Sequence, residues 1–361
     1  MISARFKRLL SQILPIGLIW LLTGWVFLWT EYAIIGAQQN TPATAITITP
    51  KIIVFASLSI ILVGFFVGVI EFTFINKRFQ SYSFLVKLIG KFLFYVLLME
   101  FVILVTYMVA ASIELETTIF SFAIWDKYQL FFFSITHVST MIQLGFSLML
   151  TLFYVEISEN LGHSVLVNFF MGRYHKPQSE TRLFMFSDMK SSTQIAETLG
   201  HYTYFEFLKC YYNDLSDAIL KHQGEVYQYV GDEIVISWQQ KTKGFAQLSL
   251  KCFFEMKQHL EQRKTYYMEC FGVCPDFKAS LHIGEVTTGE IGALKKAIFF
   301  TGDVLNTTAR MQAECTTYNV DLIVSKAVVD LIPNSERYVF KSLGKAVLRG
   351  KSETLELFTV G

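Results

Sequence analysis

Charge is scarce in this sequence, and cysteine is scarcer. Charged residues make up only 17% of the 361, and 31 Lys/Arg against 30 Asp/Glu leave a net charge of +1. No electrostatic field of the kind that gathers nucleic acid follows from that balance, so no nucleic-acid partner is expected. The scarcity is uneven. Residues 1–155 carry nine Lys/Arg and six Asp/Glu, whereas the rest reads as an ordinary soluble domain long enough for one core. All five cysteines, Cys210, Cys252, Cys270, Cys274 and Cys315, fall in that second part. Five is odd, and Cys270 and Cys274 have no second pair at zinc-like spacing. Reduced intracellular thiols are therefore expected rather than disulfides or a zinc site.

What fills the first part is long apolar runs. A membrane-crossing helix needs about 20 mostly apolar residues, and four stretches qualify: Leu10–Thr30, Ile52–Ile70, Phe92–Ala111 and Phe131–Val155. The first has no small-residue cleavage site behind it and does not read as a removable signal peptide. Arg5, Lys7 and Arg8 precede the first span, and Lys77, Arg78, Lys87 and Lys91 separate the second from the third. The other two connections hold only Lys51 and Lys127. By the positive-inside bias both termini face the cytosol, and so does everything after the fourth span. Two ionisable residues lie inside these runs. Glu100 sits about 12 Å from the inner end of span three and His137 about 9 Å from the outer end of span four. That leaves them almost 10 Å apart in height across a core of about 30 Å, too far for a direct pair. With no broken helices and no inverted repeat, the four spans suit an anchor or sensor better than a transporter.

Residues 1–155 are thus expected as a four-helix membrane domain and 156–181 as a connector, helical at first and then extended. The soluble domain is expected over 182–361. It opens on RLFMFSDMKSST, residues 182–193, which reads as a buried strand ending at the carboxylate of Asp188. Ser191, Ser192 and Thr193 behind it are good helix-capping residues, and a helix N-terminus there offers free N–H groups to phosphate. EVYQYVGDEIVISW, residues 225–238, reads as two strands joined at Gly231-Asp232. If the strands are neighbours, Asp188 and Asp232 emerge on one sheet edge. Two oxygen ligands on rigid elements suit a hard divalent cation whose shell is completed by substrate phosphates.

FMFSDMKSST, VGDEIVISW forty-four residues on, FKASLHIGEVTTGEIG at 277–292 and GDVLNTTARM at 302–311 together resemble the catalytic domain of class III nucleotidyl cyclases. The resemblance runs from about Arg182 to Thr359. It implies an α+β domain with a ferredoxin-like core, membrane-anchored here and of bacterial type. The implied metal positions are Asp188, Met189 and Asp232, holding two Mg²⁺ or Mn²⁺ ions per site. Asn306 and Arg310, four residues apart and so on one helix face, would stabilise the transition state from the partner subunit of a homodimer. Arg349, with Lys351 beside it, would contact the terminal phosphates, and Ser191 to Thr193 would line the phosphate cradle.

The base-reading positions depart from the family. Adenylyl cyclases place a lysine and guanylyl cyclases a glutamate where this chain has Gln228, and the second reader falls at or near Phe299. A phenylalanine cannot hydrogen-bond a purine, and a glutamine amide can serve either base. ATP is the expected substrate. GTP, or a non-catalytic receptor with a degenerate cyclase fold, stays open. VGDEI also resembles the GGDEF turn of diguanylate cyclases, but Val230 replaces the first glycine and that family has no counterpart of GDVLNTTARM.

Overall fold

The computed structural model describes residues 4–37, 45–75, 78, 82, 84–161, 172, 176–292, 297–332, 338–348 and 354–360. The chain divides into two compact units, one spanning Phe6–Val167 and one containing Asn168–Gly361.

The first unit is helical: α1 (Ala4–Ala37), α2 (Pro50–Ile70, continued as a π-turn Glu71–Ile75), α3 (Phe84–Leu115), α4 (Phe122–Phe132) and α5 (Ile135–Leu161). Four stretches are long and apolar enough to cross a membrane: Leu9–Ala33, Pro50–Ile75, Ile89–Leu115 and Ile135–Ser158. Small residues let α1 and α2 approach closely, as they must where no hydrophobic force favours protein over lipid. A Cβ on Gly64 would stand 2.8 Å from Trp20. The indole N–H of Trp20 donates to Thr151 Oγ1 at 2.8 Å, tying α1 to α5.

Three expectations fail here. The fourth span starts at Ile135 rather than Phe131, because the chain breaks at Phe133 and Ser134 caps the new helix, its Oγ accepting from the His137 N–H at 3.3 Å. Lys91 is no flanking cation. It is buried within α3 and paired with the fully buried Glu71, which also accepts from Tyr95 at 2.5 Å. Glu100 and His137 do meet, at 3.2 Å between carboxylate and ring nitrogen. The height argument placed the start of the last span at the outer face. Instead α4 folds back along α3, with Phe131 stacked on Tyr107 at 4.1 Å between centroids, so α5 begins deep enough for His137 to reach Glu100. The connector's apolar residues Val165 to Phe170 lie outside the described residues.

The second unit is an α+β domain: β1 (Gln178–Met189), α6 (Ser192–Lys221), β2 (Glu225–Val230), β3 (Glu233–Gln239), α7 (Phe245–Gln262), α8 (Lys264–Phe271), β4 (Phe277–Ile291), β5 (Ala297–Thr301), α9 (Asp303–Tyr318), β6 (Leu322–Ser325), α10 (Lys326–Val329), β7 (Phe340–Val347) and β8 (Thr354–Val360). Its sheet runs β2-β3-β1-β4-β6-β8-β7, with β5 on the end of β4. Among the described residues only the β4–β6 pairing is parallel. The β1-α6-β2-β3-α7-β4 portion has the strand order of a ferredoxin-like core.

Strand β1 is buried on both faces, which is why it reads as a continuous apolar run rather than an alternating one. Leu183 and Met185 pack with Phe207, Tyr211 and Leu215 of α6 and Leu250, Phe253 and Met256 of α7. Phe184 and Phe186, on the opposite face by the period of two, pack with Val286, Phe300 and Val304.

The buried Glu71–Lys91 pair gives a test of the helical unit. Removing one partner of a buried pair costs about 3–5 kcal/mol, whereas replacing both is often nearly neutral. Lys91→Met should therefore lower the melting temperature of the detergent-solubilised chain sharply, and adding Glu71→Gln should restore most of it. A single variant that melts like wild type would show that the pair does not hold these helices.

Candidate active site

Antiparallel pairing of β1 with β3 sets Asp188 opposite Glu233, and pairing with β4 sets it opposite Lys278. Asp232 occupies the two-residue turn between β2 and β3, one step from Glu233. Gly231 before it has φ +63° and nothing within 4 Å of a notional Cβ, so the glycine is required by its left-handed backbone rather than by space. The Tyr212 hydroxyl on α6 donates to the Gly231 carbonyl at 2.8 Å and fixes the turn.

The two aspartates end close enough for the charge of one to act on the other. Burial, then the neighbouring charge of Asp232, pushes the Asp188 carboxyl above the usual carboxylate range. Gln312 on α9 donates to Asp188 Oδ2 at 3.2 Å, and the Lys278 ammonium stands 3.7 Å from the same oxygen. Glu233 is pushed up to about 7 by burial and then by Asp188 and Asp232. Three carboxylates on one edge, facing few cations, form an electrostatic site that favours added positive charge.

The donor set suits a hard divalent ion: half-buried carboxylate oxygens, with no thiolate or imidazole in contact. Among the described residues no group of three or more His, Cys, Asp or Glu side chains forms a metal cage, as expected where a substrate completes the shell. The Met189 side chain is 2% exposed and packs in the core. Only its backbone carbonyl is a suitable ligand for such a cation.

The remaining predicted residues fall in three places. Ser191 takes the N-cap position of α6 but has φ 54° and makes no side-chain cap. Side-chain capping requires an extended backbone at that residue, so the expected cap is absent. Ser191 and Thr193 are exposed, Ser192 half-buried, and the helix N-terminus remains open beside Asp188. Gln228 and Phe299 are exposed on β2 and β5. Their strands are joined by neighbouring residues, the Phe300 N–H donating to the Tyr227 hydroxyl at 3.2 Å. Asn306 is exposed and Arg310 half-buried, and neither has a hydrogen bond or ion pair among the described residues. On α9 the buried face is Val304, Thr307, Thr308, Met311, Gln312 and Cys315. At 100° per residue, Asn306 lies nearly opposite that face and Arg310 on its flank. The structure brings Asp188 and Asp232 together, and among the described residues neither has a hydrogen bond or ion pair with Asn306 or Arg310. Arg349 and Lys351 lie outside the described residues.

Sequence reading missed Glu233, Lys278, Gln312 and an ionic lattice behind the site. Lys190, two residues after Asp188, pairs with Asp276 at 2.7 Å and with Asp321. Lys257 of α7 pairs with Asp321 at 2.7 Å and with Asp276. The Lys190 N–H also donates to the Asp276 carbonyl at 2.9 Å. The four side chains clamp the β1–α6 turn to the starts of β4 and β6. No local motif announces them, because their partners lie far apart in sequence.

The model of the adenylate and guanylate cyclase catalytic domain matches residues 174–360, just over half the chain, and the chain belongs to that family, the class III cyclases. It is similar to Adenylate cyclase 2 of Rhizobium meliloti (strain 1021), 31% identical over 212 residues, which are 58% of each chain. Adenylate cyclase 1 of the same strain is 25% identical over 182 residues, 49% of this chain and 27% of its own. The chain thus spans only 58% and 27% of these two curated relatives. A solved bacterial light-regulated adenylyl cyclase shares the fold, with TM-score 0.52 and 21% identity over 61% of this chain and 64% of that one.

The ionic lattice predicts an acid response. Burial opposes ionisation of Asp276 and Asp321, but the ammonium groups of Lys190 and Lys257 win and hold both carboxyls below the usual range. A depressed carboxyl contributes stability that is present above its unfolded pKa and lost as pH falls through the folded value. Lys257→Met should move the acid-unfolding midpoint upward, read by near-ultraviolet circular dichroism between about pH 5 and pH 2. An unmoved midpoint would remove the lattice from the account.

Proposed function

We propose that the chain is a membrane-anchored adenylate cyclase that converts ATP to 3′,5′-cyclic AMP and pyrophosphate at a site shared by two copies. The Asp188–Asp232 pair carries this reading, as a carboxylate couple that shared protons or cations must relieve. Both curated relatives named above are adenylate cyclases, which favours ATP over GTP. Four apolar helices and the distribution of Lys and Arg support a cell-membrane location with the catalytic domain and both termini in the cytosol. The domain limits 1–155, 156–181 and 182–361 belong to the same proposal.

Asp188 and Asp232 would hold two divalent cations, Mg²⁺ or Mn²⁺, with the Met189 carbonyl as a further ligand. Bound there, such ions lower the pKa of the ribose 3′-hydroxyl and neutralise charge on the departing pyrophosphate. The N–H groups at the start of α6, around Ser191, Ser192 and Thr193, receive phosphate oxygens. Gln228 reads the base edge, with Phe299 offering a ring face, and Arg349 and Lys351 take the terminal phosphates. The 3′-oxygen attacks the α-phosphorus as the bond to pyrophosphate breaks. Asn306 and Arg310 of the other copy donate to the oxygens where charge gathers. Their place off the buried face of α9, the face that sends Gln312 to Asp188, favours a trans arrangement, with two equivalent sites about a two-fold axis.

The purified full chain with Mn²⁺ should turn over ATP in preference to GTP. Asp188→Ala and Asp232→Ala should each cut turnover by at least about a thousandfold, the scale of several kcal/mol of lost charge stabilisation, with melting curves unchanged. Predominant cyclic GMP would reverse the substrate assignment. No cyclic product from either nucleotide would favour the receptor reading, and near-normal activity in a folded aspartate variant would remove the metal assignment.

Sharing of the site is tested by mixing. Asp188→Ala and Arg310→Ala chains should each be nearly inactive. Co-expressed, about half the dimers pair one of each, and every such dimer keeps one intact site, so roughly a quarter of wild-type activity should return. No recovery, with co-assembly confirmed by pull-down, would place all four residues on one chain.

A further inference from the structure

The helical unit contains a cavity of about 240 Å³, well above the ~150 Å³ that suffices for benzene. It is a slot rather than a sphere. Its lining runs from Trp20 to Glu31 on α1 and from Val63 to Ile52 on α2, in each case about 16 Å at 1.5 Å per residue. The walls are aliphatic and aromatic. Of the lining hydroxyl residues Ser59, Thr106, Tyr107, Thr136 and Thr140, two are satisfied within their own helices, Thr106 donating to the Val102 carbonyl and Thr140 to that of Thr136. The Trp20 N–H is occupied by Thr151, so the indole gives the slot an apolar floor.

Glu31 stands at the other end. It lies two residues from the end of its span, Leu9–Ala33, where hydrocarbon gives way to headgroups. Among the described residues it has no hydrogen bond or ion pair. A carboxylate at the mouth of an apolar slot attracts a cation and repels an anion, and a charge-assisted hydrogen bond to it is stronger than a neutral one.

We propose that this slot binds a single-chain amphiphile with an ammonium head, the ammonium paired with Glu31 and the chain laid toward Trp20 along the wall that α2, α3 and α5 share. The length selects a chain over a compact ring system. The lone carboxylate selects an amine over an alcohol or a fatty acid. The site is separate from the cyclase chemistry and does not depend on it.

The full chain in phosphatidylcholine vesicles is offered decylamine, decanol and decanoate, each bearing the same photoreactive group at the chain end, and labelled peptides are mapped by mass spectrometry. Amine labelling should concentrate near Trp20 and Val63 and be competed by plain decylamine. Glu31→Gln should reduce it about tenfold, to the level of decanol. Ala56→Leu, which narrows the slot, should remove labelling by amine and alcohol alike, and melting curves check that both variants fold. The comparison of the three probes on the unmutated chain decides the matter even if a variant fails to fold. Labelling spread evenly over the four spans, equal labelling by decylamine and decanol, or amine labelling untouched in folded Glu31→Gln would each overturn the proposal.

Discussion

Two carboxylates at one sheet edge repel each other, and the catalytic domain is arranged so that they cannot move apart. Asp188 ends a strand whose residues from Arg182 to Ser187 are buried, and Asp232 sits in a turn that a left-handed glycine and the Tyr212 hydroxyl hold in place. Sliding β1 by one residue would relieve the repulsion, but it would also turn Leu183 and Met185 toward the other face and exchange both hydrophobic layers. The core therefore maintains the repulsion. Burial first, and then this repulsion, raises the affinity of Asp188 and Glu233 for protons, and positive charge entering the edge offsets it.

The same sheet sorts the polar residues of α9. Its buried stripe packs on β1 and β4, so Gln312, at the margin of that stripe, reaches Asp188 of its own chain. Asn306 and Arg310 lie off that stripe and have no hydrogen bond or ion pair among the described residues. One helix thus contacts the carboxylate edge of its own chain and, under the reading proposed above, offers donors to a second site. That division needs no special loop. It follows from placing residues 306, 310 and 312 on a 3.6-residue period.

How much of this was legible depended on the range of each interaction. The end of β1, the turn at Gly231 and the four long helices were readable because an apolar run and its terminator are local signals. Asn306 and Arg310 were named through the family resemblance of GDVLNTTARM, and their four-residue spacing puts them on one helix face. Gln312 was not, since its partner is 124 residues away, nor were Lys190 and Lys257, whose acidic partners start distant strands. Glu100 and His137 were misjudged for a related reason: depth was counted along ideal spans, and the fold-back of α4 sets the true level of α5. Ser191 had the right side chain for a cap, but its backbone is left-handed.

Base selection follows a different logic from the metal edge. A site rejects the wrong base strongly only when it commits buried donors and acceptors that the wrong base leaves unpaired. Gln228 is exposed and has no hydrogen-bond partner among the described residues, so its amide is free to turn either face to a purine. Phe299 can stack but cannot discriminate by hydrogen bonding. Strong preference between ATP and GTP therefore requires something to orient the Gln228 amide once nucleotide is bound. The neighbouring contact between Tyr227 and Phe300 fixes the two strands but leaves that amide unconstrained. Under the shared-site reading proposed above, the other copy is where such a constraint would have to come from.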